Sequence, residues 1–291
     1  MCLTPKAANA KTMSWFFFAL GAGVVSAVNV ALSKRLVSEL GPLWLGAMVH
    51  LMGALLCLIA LPFSLLKLTF TPLVTSGLLV MGIVYTLGNA LYFSALKSTD
   101  LSEIDLLLRS SSLWTFLLGV LLLAEPYSPR ILLASGFIIS SILLLSRQRF
   151  SIHFNRAQLL ALGAAFCFGL GNVIDKALSP NFDALSYTSI NLFLTGIGML
   201  GLTKSADRSL PHQLILSLPA WGIALTFALT QWLIILAFTA GGEAGQVILV
   251  AQLRLVILMA VGIIVLKERE RITLKLLAAF IMIVGLMLLY G

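Results

Sequence analysis

Apolar residues run in stretches of about twenty along nearly the whole chain, each long enough to cross a hydrocarbon core of roughly 30 Å as a helix. Short polar breaks separate them: Ser33-Lys34-Arg35, Gly41-Pro42, Thr71-Pro72, Lys97 to Asp100, Glu125-Pro126, Ser179-Pro180-Asn181, Gly241-Gly242-Glu243 and Lys267 to Arg271. The pattern predicts ten helices, near 13–33, 41–65, 72–96, 101–123, 129–146, 157–178, 184–203, 217–239, 244–266 and 272–290. No alternation of polar and apolar positions supports a transmembrane barrel. The expected class is all-α, a polytopic membrane protein.

Composition agrees. Hydrophobic residues make up 60% of the 291 and charged residues only 10%, too few charges to cover a soluble domain of this size. The formal charge of +8 sits mostly in the connections, which points to topology and anionic lipid and away from nucleic acid. Cys2, Cys57 and Cys167 share no spacing, so neither a disulfide framework nor a metal site is expected.

The chain repeats itself. Ala19-Leu20-Gly21-Ala22 returns as Ala161-Leu162-Gly163-Ala164, and Lys34-x-Leu36 returns at the same offset as Lys176-x-Leu178. Gly119 through Glu125 matches Gly262 through Glu268 at an offset longer by a single position. The first apolar helix therefore belongs to the fold and is not a signal peptide. The expected units are residues 1–146 and 157–291, joined by a polar connection at 147–156. Five helices per half is an odd number, so the halves enter the membrane in opposite directions, with a site expected near midplane between them.

Two segments carry a family resemblance: LLGVLLLAEPYSPRILLASGFIISSILLL and VGIIVLKERERITLKLLAAFIMIVGLMLLYG. In each, an apolar helix ends in Gly-x-x-x-Leu-x-Glu before a short turn and a last helix, with Glu125 and Glu268 at the acidic position. Both resemble the EamA-type unit of the drug/metabolite transporter superfamily. Pro126 and Pro129 make the first turn less typical than Glu268-Arg269. The resemblance implies a ten-helix exporter or exchanger with no cofactor, working by alternating access around a cavity lined largely by helices 1, 3, 4, 6, 8 and 9.

Ionisable groups at bilayer depth cost roughly 2.5–3.5 kcal/mol each on insertion scales and are functional candidates for that reason. The fourth predicted helix carries Glu103, Asp105 and Arg109; Asp105 and Arg109 are four apart and share a face. Arg109 lies about 12 Å into that helix, close to midplane. On the ninth helix stand Glu243, Gln246, Gln252 and Arg254. By the offset that relates Gly119 to Gly262, Arg109 corresponds to Gln252 and Ser111 to Arg254, so each half places an arginine near midplane on the equivalent helix. Guanidinium groups suit carboxylate or phosphate recognition, which makes Arg254 and Arg109 the leading substrate contacts; Asp105 neutralising Arg109 is the structural alternative.

Other polar candidates are Asn89 and Gln231, which correspond at the offset of the Ala-Leu-Gly-Ala repeat, with Asn29, Asn172 and Trp232. Each amide also suits a plain tie between helices, and an aromatic such as Trp232 or Trp114 also suits packing. Glu103, Asp105 and Glu243 are the proton-coupling candidates, against a solvated helix end. Asp175-Lys176 is expected to close the sixth helix as an interfacial charge pair, Glu125 and Glu268 to serve as structural helix ends, and His50 to be a satisfied core residue. Gly21-x-Gly23 and Gly169-x-Gly171 would let helices approach closely.

Orientation is open. Five Lys or Arg residues fall on the N-terminus with the even-numbered connections and twelve on the odd-numbered ones, which puts the odd connections inside; the resemblance implies both termini inside. The expected location is a bacterial inner or plasma membrane. Acids and arginines on the same helices favour a small charged or zwitterionic metabolite, such as an amino acid, over an apolar drug. The alternatives are a non-transporting receptor or assembly subunit, or a flippase of lipid headgroups. An enzyme is not expected, for want of a Gly-x-Ser-x-Gly, a His/Glu metal spacing or a phosphate-binding glycine loop.

Overall fold

The computed structural model describes residues 5–36, 42–64, 66–96, 107–126, 128–146, 156–203, 217–264 and 272–290. Its α-helices are α1 (Pro5–Leu36), α2 (Pro42–Ala60), α3 (Pro72–Leu96), α4 (Ser111–Leu123), α5 (Pro129–Ser146), α6 (Arg156–Leu178), α7 (Ala184–Leu202), α8 (Leu218–Thr239), α9 (Ala244–Ala251), α10 (Arg254–Ile264) and α11 (Ile272–Tyr290). With α9 and α10 counted as one interrupted element, these are the ten expected crossings. There is no strand among the described residues. Prolines open α1, α2, α3 and α5 at the first helical position, where the missing N–H would have had no partner.

The surface is as apolar as the interior. Phe17, Leu58, Ile83, Leu121, Leu159, Phe280 and Met287 all stand exposed, a covering that suits lipid and would be costly in water. The helix contacts are instead made by small residues: Ala19, Ala22, Ala161, Ala164, Ala224 and Ala278 are fully buried. Lipid offers no hydrophobic drive between helices, so close backbone approach and polar ties must hold them together.

The halves interlock with two-fold symmetry. In the principal packing pairs, α1 lies on α8 and α6 on α3; α2 meets α7 and α5 meets α11; α4 lies on α6, while α9 and α10 lie on α1. Each of these pairs joins one half to the other. The glycine pairs act where expected. A methyl at Gly169 would stand 2.5 Å from Trp114 Cβ and 3.1 Å from the Ser111 carbonyl oxygen on α4, and one at Gly23 2.9 Å from the Ala251 carbonyl oxygen on α9.

At the membrane face where α2 and α6 end, the two following connections are tied. Thr69 N donates to Asn181 O at 3.1 Å, Asp183 N to Lys67 O at 3.0 Å, and Leu68 and Phe182 form an antiparallel bridge. Lys67 Nζ also donates to Pro180 O. Asp183 then caps α7, accepting from Leu185 N and Ser186 N, which satisfies two of the helix's first free amides.

Candidate functional site

The fourth and ninth membrane elements are not continuous helices. Between Leu107-Leu108 and α4 the chain makes a turn at Arg109-Ser110, and between α9 and α10 a turn at Gln252-Leu253. The two turns are the same structure. Ser110 N donates to Leu107 O, Ser112 N to Arg109 O and Trp114 N to Ser110 O. At the equivalent positions of the second half, Leu253 N donates to Val250 O, Leu255 N to Gln252 O and Ile257 N to Leu253 O. The first two bonds of each set span three residues, so each turn tightens locally and releases a backbone carbonyl. In the second half this is Ala251 O, no longer taken by Leu255 N, and it faces the space left by Gly23. Within a bilayer, irregular backbone is tolerated only inside protein or against a cavity.

The first break carries three serines, Ser110 to Ser112. Ser110 Oγ donates to the Leu107 carbonyl oxygen at 2.6 Å, and a serine hydroxyl bonded to nearby backbone in this way competes with the helix ladder. The second break has no serine, glycine or proline to mark it.

A hydrogen bond joins the two breaks. Gln252 Nε2 donates to Ser112 Oγ at 2.6 Å, while Gln252 Oε1 is buried without a partner among the described residues. Arg254 opens α10 immediately after the break and donates from Nη1 to Ser26 Oγ on α1 at 3.2 Å. Arg109 lies half-buried in the matching turn. Asn89 is half-buried on α3 and donates to its own helix at Tyr85 O. Gln231 and Trp232 are half-buried on α8, with Trp232 against the main apolar cluster. Asn29 is committed to α8, donating to Ile223 O and Thr226 Oγ1. Asn172 donates to Thr115 Oγ1 on α4.

Glu103 and Asp105 lie outside the described residues, as does Glu268. His50 meets Gly46 O at 2.7 Å and packs against the Phe227 ring at a tilt of 58°, a satisfied residue as expected. Among the described residues no group of His, Cys, Asp and Glu is arranged for a metal.

One expectation is corrected. Asp175 and Lys176 do not pair with each other. Lys176 Nζ turns to α8, donating to Phe238 O and Gly242 O. Asp175 turns inward and is 2% exposed. It accepts from Tyr85 and Tyr187 hydroxyls and from Asn191 Nδ2. Adjacent helical positions point about 100° apart, so neighbours in sequence at a helix end need not meet. The sequence signal was an acid within the apolar run; its three partners, 12 to 90 residues away, were invisible there.

The model of the EamA-like transporter family matches the chain twice, over residues 13–147 and 155–291. The chain belongs to the EamA-like transporter family. It is thus a multi-pass membrane protein whose family transports small molecules. A solved structure described only as "Crystal structure of protein" superposes with a TM-score of 0.69 at 16% identity, covering 96% of each chain; this likeness is one of fold. No curated protein matches the sequence.

In this EamA-like chain the motif Gly119-x-x-x-Leu123-x-Glu125 has a physical reading. Ala124 takes a left-handed conformation at φ 51°, and Glu125 N returns to Gly119 O at 3.3 Å. The Glu125 carboxylate folds over Gly119, where any side chain would collide with it. From there it accepts from Ala244 N at 2.6 Å, so a residue of the first half caps the first turn of α9 in the second. A carboxylate suits that position. The Glu243 carboxyl lies beside it.

Glu125 lies in the turn outside the spanning helices, and burial pushes its carboxyl up to about 7 from the ordinary 4.5. The Ala244 amide opposes this and the neighbouring Glu243 adds to it. Between those two values the folded protein holds a proton that the unfolded chain has lost, so stability falls as pH rises through the window and levels off above it. Melting temperatures measured in detergent from about pH 5 to about pH 8 should fall for the wild type, and less steeply for Glu125→Gln, which keeps the acceptor oxygen but no longer titrates. Equal slopes would mean that Glu125 does not change protonation there.

Proposed function

We propose that this protein carries a small polar metabolite, an amino acid or another charged or zwitterionic compound, across a bacterial inner or plasma membrane as an exporter or exchanger. The observation that carries the reading is the pair of matching helix breaks joined by Gln252 and Ser112. Interrupted helices near midplane are where secondary transporters expose backbone dipoles and side chains to a solute. Arg254 supplies the cation for a carboxylate, while Gln252, Arg109, Asn89, Gln231 and Trp232 provide further polar and aromatic contacts. Asn29 and Asn172 hold helices in register beside the site.

Alternating access then rocks the halves about these breaks. Opening the face where α2 and α6 end requires the ties of Lys67, Thr69, Asn181 and Asp183 to part, together with the Glu125 cap on α9. In the orientation that the family resemblance implies, this face is cytoplasmic. Glu243 stands beside Glu125 and remains a proton-coupling candidate, as do Glu103 and Asp105.

The test is thermal stability of the detergent-purified chain against metabolites grouped by charge. Stabilisation by compounds bearing a carboxylate, and not by cationic or apolar ones, is the expected result. Stabilisation by phospholipid headgroups alone would favour flipping of lipids, and stabilisation by apolar cations alone would overturn the assignment of the arginines.

A further inference from the structure

Asp175 takes no part in the solute contacts proposed above, yet its carboxylate accepts from three side chains of two other helices. It sits one turn before the end of α6. Tyr85 Oη on α3 donates to Oδ2 at 2.6 Å; Tyr187 Oη and Asn191 Nδ2 on α7 donate to Oδ1 at 2.7 and 2.9 Å. All three donors are neutral, and among the described residues no Lys or Arg forms an ion pair with the carboxylate. The titratable groups facing it are Tyr85 from α3 and Tyr187 from α7. No titratable group of α4, α8 or α9 bonds to it among the described residues; Glu243, just before α9, lies beside Glu125, and Lys176 on its own helix is turned to the end of α8. A carboxylate in a membrane protein is costly without a cation, and such groups mark ion and proton paths.

The repeat provides an internal comparison. At the offset that relates Ala19 to Ala161, the residues Asp175, Tyr85, Tyr187 and Asn191 correspond to Ser33, Phe227, Leu45 and Val49. Leu45, Val49 and Phe227 form a single apolar cluster. The fold therefore builds the same place in the first half without an acid or a hydroxyl-bearing ring, and the network is not a requirement of the packing.

We propose that Asp175 is an exchangeable proton site, and that Tyr85 and Asn172 transmit its protonation state to the helix break in the first half. The proposal takes its purpose from the transport reading above. Tyr85 Oη has two acceptors in reach, Asp175 Oδ2 at 2.6 Å and Asn172 Oδ1 at 3.3 Å. With Asp175 ionised, the hydroxyl proton points to Oδ2. When a proton from water binds Oδ2, the new Asp175 hydroxyl donates to Tyr85 Oη, and Tyr85 turns its own proton to Asn172 Oδ1. One O–H bond of a hydronium ion breaks, leaving water, as one O–H bond forms on Oδ2, and release returns the same proton to water.

Asn172 already donates to Thr115 Oγ1 at 3.1 Å, and Thr115 to the Ser111 carbonyl at 2.8 Å. Ser111 opens α4 directly after the Arg109-Ser110 turn. Protonation thus moves the Tyr85 hydroxyl proton to Asn172, adding an α3–α6 hydrogen bond at a residue that is itself one hydrogen bond from α4. Gly171 permits this geometry, since a methyl there would stand 2.6 Å from the Tyr85 ring.

The experiment is infrared difference spectroscopy of the full chain in phosphatidylcholine vesicles as pH is changed, which needs no solute and so tests the site apart from the transport reading. The expected wild-type spectrum gains a protonated-carboxyl carbonyl band as pH falls. Asp175→Asn should lose that component, while Tyr85→Phe should keep it at a displaced frequency because its hydrogen-bond partner is gone. Retention of the whole wild-type band in Asp175→Asn would overturn the proposal. Should that variant fail to fold, a Tyr85→Phe spectrum superimposable on wild type would overturn it instead. A titrating Asp175 in a protein that moves no solute would uphold the proton site and remove the transport reading.

Discussion

Gly169→Leu should abolish folding, and Gly169→Ala should lower stability by about 1–3 kcal/mol, the range for overfilling a tight contact. The added methyl would meet the Cβ of Trp114 and the backbone at Ser111 and Thr115, and none of these atoms can swing aside as a side-chain tip can. The α4–α6 contact would have to open as a whole, and it carries the bond from Asn172 to Thr115. Gly136→Ala on α5 is the matched control, because a methyl there meets nothing within 4 Å. That change should leave stability unchanged or raise it by about 0.5–1 kcal/mol, the ordinary helix gain of alanine over glycine. Melting temperatures of the three variants in one detergent decide the matter. Equal losses at Gly169→Ala and Gly136→Ala would mean that the close approach of α4 and α6 contributes nothing.

Arg254→Ala should remove stabilisation by whichever carboxylate-bearing metabolite protects the wild type. A hydrogen bond between charged groups contributes about 1.5–3 kcal/mol, so affinity should fall by roughly ten- to a hundredfold. The apo protein should fold, since among the described residues Arg254 makes a single hydrogen bond, of 3.2 Å to Ser26. Arg254→Lys should recover only part of the loss, because an ammonium cannot offer the paired N–H groups of a guanidinium. A metabolite that stabilises wild type and Arg254→Ala equally would make this arginine structural.

Much of the architecture was legible because a bilayer imposes a length on every apolar run. The helices α3, α5 and α11 fall on 72–96, 129–146 and 272–290 as the hydropathy pattern predicts. The pattern reports membrane depth rather than helicity. Hence α1 starts at Pro5 and not at 13: the stretch from Lys6 to Thr12 is polar yet extends the helix. The repeat was legible from Ala19-Leu20-Gly21-Ala22 and its copy, and the pairing of Arg109 with Gln252 from Gly119 and its counterpart Gly262.

The breaks at those two residues were not legible. An interruption made by three-residue hydrogen bonds leaves no glycine or proline behind at Gln252-Leu253, and its only trace is a polar side chain recurring at the equivalent point of both halves. It also bears on side-chain placement: Glu243 and Arg254, eleven residues apart, would share a face on a continuous helix and do not inherit that relation across a turn. The Asp175 network was hidden for a different reason. Its donors come from α3 and α7, and no local spacing links an acid on α6 to a tyrosine 90 residues earlier. What the sequence did offer was the comparison with Ser33 at the equivalent position.

The most direct test of the central claim is flux. Purified protein would be reconstituted into phosphatidylcholine vesicles preloaded with an unlabelled metabolite that stabilises it, and uptake of the same labelled compound would be followed. The account predicts counterflow in wild type that is lost in Arg254→Ala while both proteins remain folded. Binding of that metabolite without any counterflow in wild-type vesicles would contradict it and leave a receptor in its place.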